Sequence, residues 1–214
     1  YGLVAYTFRN RRSLEGGIKY LILSAAASAF MLFGMALLYA ESGALNFGAL
    51  GAQLASAGII SPFALAGFAM ILMALAFKLS LAPFHLWTPD VYEGAPAPVG
   101  AYLATVSKVA VFAVLLRLFV EVPVAHTGIW VTFLTVLAFF SIAVGNLLAL
   151  NQNNLKRLLG YSSIAHFGYI LVAIIAGGAL SLEAINMYLL TYVVTTIGAF
   201  GVVALTSSPY NGKD

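Results

Sequence analysis

The sequence predicts an all-α bundle of membrane-spanning helices, and three observations predict it. Of 214 residues, 62% are hydrophobic and only 8% charged, where a soluble domain carries about 25%. The mean hydropathy is +1.00. Uncharged apolar runs recur at span length, given that a bilayer core of ~30 Å takes about 20 helical residues.

Tyr1–Phe8 reads as the end of an earlier span, stopped by Arg9, Arg11 and Arg12. It is too short to cross alone and does not start with Met, so a longer polypeptide is expected. The first full span covers 13–40, with no charge in 20–39. Its small residues from Ser24 to Ala29 suit close helix packing. Glu15 and Lys19 stand i,i+4 and can pair on one face. Residues 41–61 read as a Gly/Ala-rich loop at the interface.

The second span starts near Pro62, a favoured first helical residue. Only Lys78 and His85 can carry charge between Ala55 and Pro89, a run too long for one straight crossing. Pro83 offers the break, so 62–92 is expected to be a discontinuous helix. Further spans follow at 98–118, 129–150, 155–176 and 184–206. Together they form a single membrane domain over 1–214.

Placing Arg9, Arg11 and Arg12 inside puts Lys156, Arg157 and Lys213 inside as well, with Arg117 opposite. That satisfies the positive-inside rule and sets those residues on the cytoplasmic side.

Several function classes drop out. The chain has no cysteine, so it can build no disulfide, iron–sulfur cluster or cysteine zinc site. It has no nucleotide fingerprint, HExxH motif or nucleophile elbow. The net charge of +3 comes from loop arginines and describes no nucleic-acid surface. No cofactor is expected in this chain.

The chemistry concentrates in FKLSLAPFHLWTPDVYEGAPAPVGAYLATVSK, residues 77–108. A lysine in a bilayer core costs ~3 kcal/mol on insertion scales, so such lysines are rare and tend to be functional. Lys78 is either a lysine snorkelling to the interface or a proton carrier beside the break. Lys108 lies ten residues after Pro98 and nine before Arg117, about 15 Å from either surface. It is either a buried ion-pair partner or a proton site, with Thr105 and Ser107 near in sequence to hold water.

His166 shares a helix face with Ser162 and Tyr169. It is either a packing residue or a relay along a hydrated path. Glu15 with Lys19 is an ordinary pair or a proton uptake site. His85 is a hinge or a relay residue. Lys156 and Arg157 read first as topology anchors, Asp90 and Glu93 as solvated loop charges, and His126 as a loop residue.

The stretches FKLSLAPFHLWTPDVYEGAPAPVGAYLATVSKVAVF and GNLLALNQNNLKRLLGYSSIAHFGYILVA resemble the antiporter-like membrane subunits of respiratory complex I, NADH–quinone oxidoreductase. Within that family they are similar to the N branch, the counterpart of mitochondrial subunit 2. The L and M branches usually have histidine where Tyr92 and Lys108 stand. The likeness extends over SLEGGIKYLILSAAASAFMLFGMALLY and IGAFGVVALTSSPY, and so over nearly the whole chain.

The resemblance implies a fourteen-span, inverted-repeat fold, of which this chain holds the end of the fifth helix through the eleventh. It implies Lys78 in the seventh helix, Lys108 in the eighth and His166 in the tenth, along a hydrated axis. The family's fifth-helix glutamate would fall before Tyr1. It further implies a proton-translocating subunit of the bacterial inner membrane, without a redox centre, beside other membrane subunits. The whole complex would use NADH, FMN, iron–sulfur clusters and quinone. Two other readings stand beside this one: a subunit of a sodium/proton antiporter or membrane-bound hydrogenase, and a structural module that only docks other subunits.

Overall fold

Where the chain leaves a Ser or Asn ahead of an apolar run, a helix begins. The computed structural model describes residues 1–7, 10–57, 61–122 and 128–206, apart from the side chains of 55, 57 and 179. Arg9, His126, Lys213 and the tail after 206 lie outside the described residues. Helix α1, Arg11–Ser42, starts where the Asn10 side chain accepts from the Arg12 N–H. It ends where Gly43 turns left-handed at φ 62°, the usual glycine stop. Helix α3, Pro62–Leu79, is capped by Ser61, with proline in its first turn.

Residues 41–61 are not simply a loop. Helix α2, Phe47–Ala57, occupies most of that stretch. The Asn46 side chain accepts from the Ala49 N–H, and Leu50 and Leu54 are buried in the core. Their i,i+4 spacing makes one inward face. The glycines that suggested a loop sit on an otherwise amphipathic turn pair.

The interruption of the second span is present. Ser80 ends α3 in the left-handed region at φ 63°, and α4, Trp87–Gly94, follows. The Ala82–Pro83 peptide between them is cis. Side chains replace the missing helical bonds: Trp87 Nε1 donates to the Phe77 carbonyl at 3.0 Å, and Thr88 Oγ1 donates to Ser80 Oγ at 2.5 Å. The Ala82 N–H donates to Ser141 Oγ at 2.9 Å.

A second interruption splits the span expected over 98–118. Helix α5, Ala97–Ala104, and helix α6, Val106–Glu121, meet at Thr105, with φ −106° and ψ −83°. Thr105 Oγ1 donates back to the Ala101 carbonyl at 2.7 Å, the back-bond by which threonine bends helices.

Helices α7, Gly128–Ala149, α8, Leu155–Ala176, and α9, Ala179–Thr206, complete the bundle. Among the described residues six helices, counting α5 with α6 as one, are long and apolar enough to cross a membrane. Helix α1 packs on α3, α7 on α8, and α9 on α8 and α5, while α4 lies between α1 and α8. Two apolar cores result. One joins α3, α6, α7 and α8 around Leu75, Phe112, Leu134 and Phe167. The other surrounds α4 and includes Trp87, Tyr92 and Phe200.

Close crossings depend on missing side chains. A Cβ on Gly34 would stand 2.7 Å from the Gly67 carbonyl oxygen, and one on Gly67 2.9 Å from that of Gly34. The α1–α3 contact is therefore backbone against backbone.

Candidate functional site

Lys108 occupies the first turn of α6, three residues past the Thr105 interruption, and is 1% exposed. It lies at the seam of the two cores. Its ammonium stands 5.8 Å from the centre of the Tyr92 ring and 5.1 Å from that of Phe167. Ring faces attract cations at such distances. Its Nζ donates to Ser163 Oγ on α8, at 2.8 Å.

Ser163 Oγ lies 2.7 Å from the Tyr192 hydroxyl on α9, which donates to the Ala104 carbonyl at 3.1 Å. No carboxylate among the described residues pairs with Lys108. The buried-ion-pair reading of this residue therefore has no acidic partner there. Thr105, turned back on its own helix, and Ser107 make no hydrogen bond to the lysine.

Lys78 sits in the last turn of α3, half-buried beside the Ser80 break. No described carboxylate or acceptor side chain pairs with it. His85, 8% exposed, lies between α3 and α4, and its Nδ1 has no hydrogen-bond partner among the described atoms.

His166 is two helical turns further along α8 than Leu159 and half-buried. Its Nδ1 lies 2.7 Å from the Tyr188 hydroxyl. Rings of Tyr169, Tyr188 and Tyr192 surround it, with the Tyr192 ring centre 5.3 Å away. The expected stripe of Ser162, His166 and Tyr169 lines an open groove of about 530 Å³ between α7 and α8. On its other side His166 borders an apolar groove along α9. The Tyr192 ring packs against His166, and its hydroxyl meets Ser163, which accepts from Lys108.

The remaining candidates gather elsewhere, at the end of the bundle where α1, α4 and α8 meet. Lys19 Nζ pairs with Glu15 at 2.5 Å and Asp90 at 2.7 Å. Arg157 reaches Asp90 at 2.7 Å and Glu93 at 2.9 Å, and Arg12 also pairs with Glu93. Lys156 Nζ donates to the Ala95 carbonyl at 3.0 Å, just past the end of α4.

Asp90 and Glu93 are thus not solvated loop charges. They project from a short helix into a cleft of about 610 Å³, and Asp90 ties α1 to α8. Burial alone would raise the Asp90 carboxyl, but hydrogen bonds from Lys19 and Arg157 overcome that and hold it below its ordinary 3.8. Sequence reading underrated these two residues because WTPDVYEGAP, with three prolines from 89 to 98, looks like a loop. It also missed Ser163, Tyr192 and Tyr188, for hydroxyls give no signal in an apolar span until their partners are known.

A family model described as "NADH:quinone oxidoreductase/Mrp antiporter, TM" matches residues 1–213. A protein of Ectopseudomonas mendocina named NADH-quinone oxidoreductase subunit N is 65% identical over the whole chain. Its counterpart in Chromohalobacter salexigens is 61% identical. The chain spans 43% and 44% of the length of these two relatives.

Among solved structures, respiratory complex I from Thermus thermophilus contains a chain 44% identical, at a TM-score of 0.76, matched over 92% of this chain and 42% of that one. An archaeal membrane-bound sulfane sulfur reductase contains one 28% identical at a TM-score of 0.86, covering 96% of this chain and 42% of that one. The Mrp complex from Dietzia, 21% identical at a TM-score of 0.82 over 91% of this chain and 35% of that one, shares the fold. Matched from first residue to nearly the last and folded as a multi-pass helix bundle, the chain belongs to the NADH:quinone oxidoreductase/Mrp antiporter membrane family.

Proposed function

We propose that this chain is the proton-conducting middle of a subunit-N-type membrane subunit of a proton-translocating NADH–quinone oxidoreductase. In this reading it has no redox centre. Quinone reduction elsewhere in the complex, supplied through NADH, FMN and iron–sulfur clusters, drives protons through its buried lysines and histidine. Its partners are the other membrane subunits of that complex, in the inner membrane of a bacterium. Arg12, Lys156 and Arg157 face the cytoplasm, consistent with their clustering at one end of the bundle.

Lys108 carries the proposal. An ammonium taken from water and left without a carboxylate is expensive to keep. Here it has one hydroxyl and two ring faces instead. A charge with such partial compensation responds to small changes in the field around it, as a proton carrier must. A structural lysine would be expected to hold an acidic partner.

The subfamily follows from identity: 65% and 61% to the two subunit N proteins, against 28% and 21% to the reductase and Mrp chains. The fold is common to all and does not separate them.

The test is a substitution series at Lys108 in the full-length chain within its native membranes. Arginine keeps a charge that does not deprotonate in proteins. Lys108→Arg is expected to stop NADH-driven proton uptake by inverted vesicles as fully as Lys108→Ala, while Lys108→His keeps part of it. Assembly is checked for each variant, because arginine is larger. Pumping at the wild-type rate in Lys108→Arg would make the lysine a structural charge and end the proposal.

A further inference from the structure

The hydroxyls beside Lys108 form a chain to which the Ala104 carbonyl gives a direction. Ala104 closes α5, where carbonyls run out of intrahelical partners, and its oxygen takes the Tyr192 hydroxyl proton. A carbonyl only accepts. With that proton committed, the Tyr192 oxygen can only accept from Ser163 across their 2.7 Å contact. The Ser163 proton is then committed too, and Ser163 Oγ can meet Lys108 Nζ only as an acceptor. The order is Lys108 to Ser163 to Tyr192 to the Ala104 carbonyl, every donor pointing away from the lysine.

Such a chain serves the ammonium, which has N–H bonds to give. It offers nothing to the lone pair of a neutral amine. Aligned hydrogen bonds polarise one another, and those from a charged donor are about twice as strong as neutral ones.

We propose that Tyr192, through Ser163, is a positioning residue that biases Lys108 toward its protonated form by locking the Ser163 hydroxyl as an acceptor. The Thr105 interruption, which ends α5 at Ala104, supplies the anchor for the chain. The inference rests on the proton-carrier reading of Lys108.

The groups facing Lys108 are few. Tyr92 comes from α4, with its ring toward the ammonium and its buried hydroxyl beside Ser163. Ser163 and Phe167 come from α8. Tyr192 comes from α9, with His166 packed on the far side of its ring. No described charged side chain stands among them. The hydroxyl chain is therefore the strongest polar influence in contact with the lysine.

Tyr192→Phe keeps the ring and removes the lock. Ser163 can then turn its proton toward the lone pair of Lys108 and favour the neutral amine. The test measures protons taken up per NADH oxidised, against pH, in inverted vesicles bearing the full-length chain. The alkaline limb of that profile should move down by about one pH unit, tenfold in proton affinity. Ser163→Ala, which deletes the acceptor itself, should move it the same way, and Ser163→Thr, which restores a hydroxyl, should bring it back.

The Ser163 pair decides the matter alone if Tyr192→Phe fails to assemble. A loss of pumping uniform across pH, with the limb unmoved in assembled variants, would overturn the proposal and leave these residues as braces. If Lys108→Arg itself pumps normally, it is the proton-carrier reading that fails. If the Lys108 variants stop pumping while neither hydroxyl variant moves the limb, only the positioning role fails.

Discussion

Two lysines stand in this bundle under different terms. Lys108 is wholly buried and held by a hydroxyl. Lys78 is half-buried with no described ion-pair partner. Replacing Lys78 by alanine breaks no described bond and removes a costly charge from an apolar setting. Lys78→Ala is therefore expected to assemble normally and yet pump more slowly. Proton uptake per NADH oxidised, at the wild-type value in assembled membranes, would remove Lys78 from the path. Both lysines were legible in the sequence because a charge inside an apolar run needs an explanation. Their neighbours were not. Ser163 meets Lys108 from 55 residues away in the chain, and no local pattern marks one serine among several in the same span.

The broken second span shows how an element can be half legible. The overlong run and Pro83 announced a discontinuity. Where the helix stops was set instead by the left-handed Ser80 and by distant groups, above all Ser141 on α7, which accepts the Ala82 N–H at 2.9 Å. Both residues are buried. Ser141→Ala leaves that N–H without a partner, at a cost of about 1–3 kcal/mol. The purified full-length protein should unfold at a lower temperature, while Ser141→Thr, which keeps the hydroxyl, should lose less. Equal melting of the alanine variant and the parent would show that the break does not depend on α7. The Thr105 interruption had no comparable sequence signal, since threonine is common in membrane helices and becomes a bend only when its hydroxyl turns back on the backbone. Helix α2 was hidden for the opposite reason: its glycines looked like a loop, while its buried pair, Leu50 and Leu54, was what counted.

Across the whole molecule, the charges form two separate systems. Lys108 and the half-buried Lys78 lie within the bundle, and the pairs among Arg12, Lys19, Asp90, Glu93 and Arg157 bind one end, apart from the local Arg117–Glu121 pair that closes α6. No local pattern marks Asp90 as the link between α1 and α8, because Lys19 and Arg157 lie 71 and 67 residues from it. Glycines bring those elements close: a Cβ on Gly94 would stand 2.6 Å from the Arg12 carbonyl oxygen, and one on Gly160 3.3 Å from Pro89 Cα.

The Asp90 side chain is 29% exposed, so its pairs belong between surface pairs, worth about 0.2–1 kcal/mol each, and buried ones. Its carboxyl is held below 3.8 in the folded protein. A group depressed in this way contributes stability that is complete above the unfolded value and is lost as pH falls through the lower folded value. Thermal stability from Asp90 should therefore be constant from pH 7 down to about 5 and decline only below about 4. Asp90→Asn should lower the melting temperature of the purified full-length protein at pH 7, and the gap to the parent should close as pH falls through the lowered folded value. Glu93 stands in the same cluster and is present in both proteins, so the difference between them isolates Asp90. A gap between the two that persists unchanged at the lowest pH would mean that the aspartate stabilises the bundle by packing alone, and that the ion pairs joining α1, α4 and α8 add nothing to its stability.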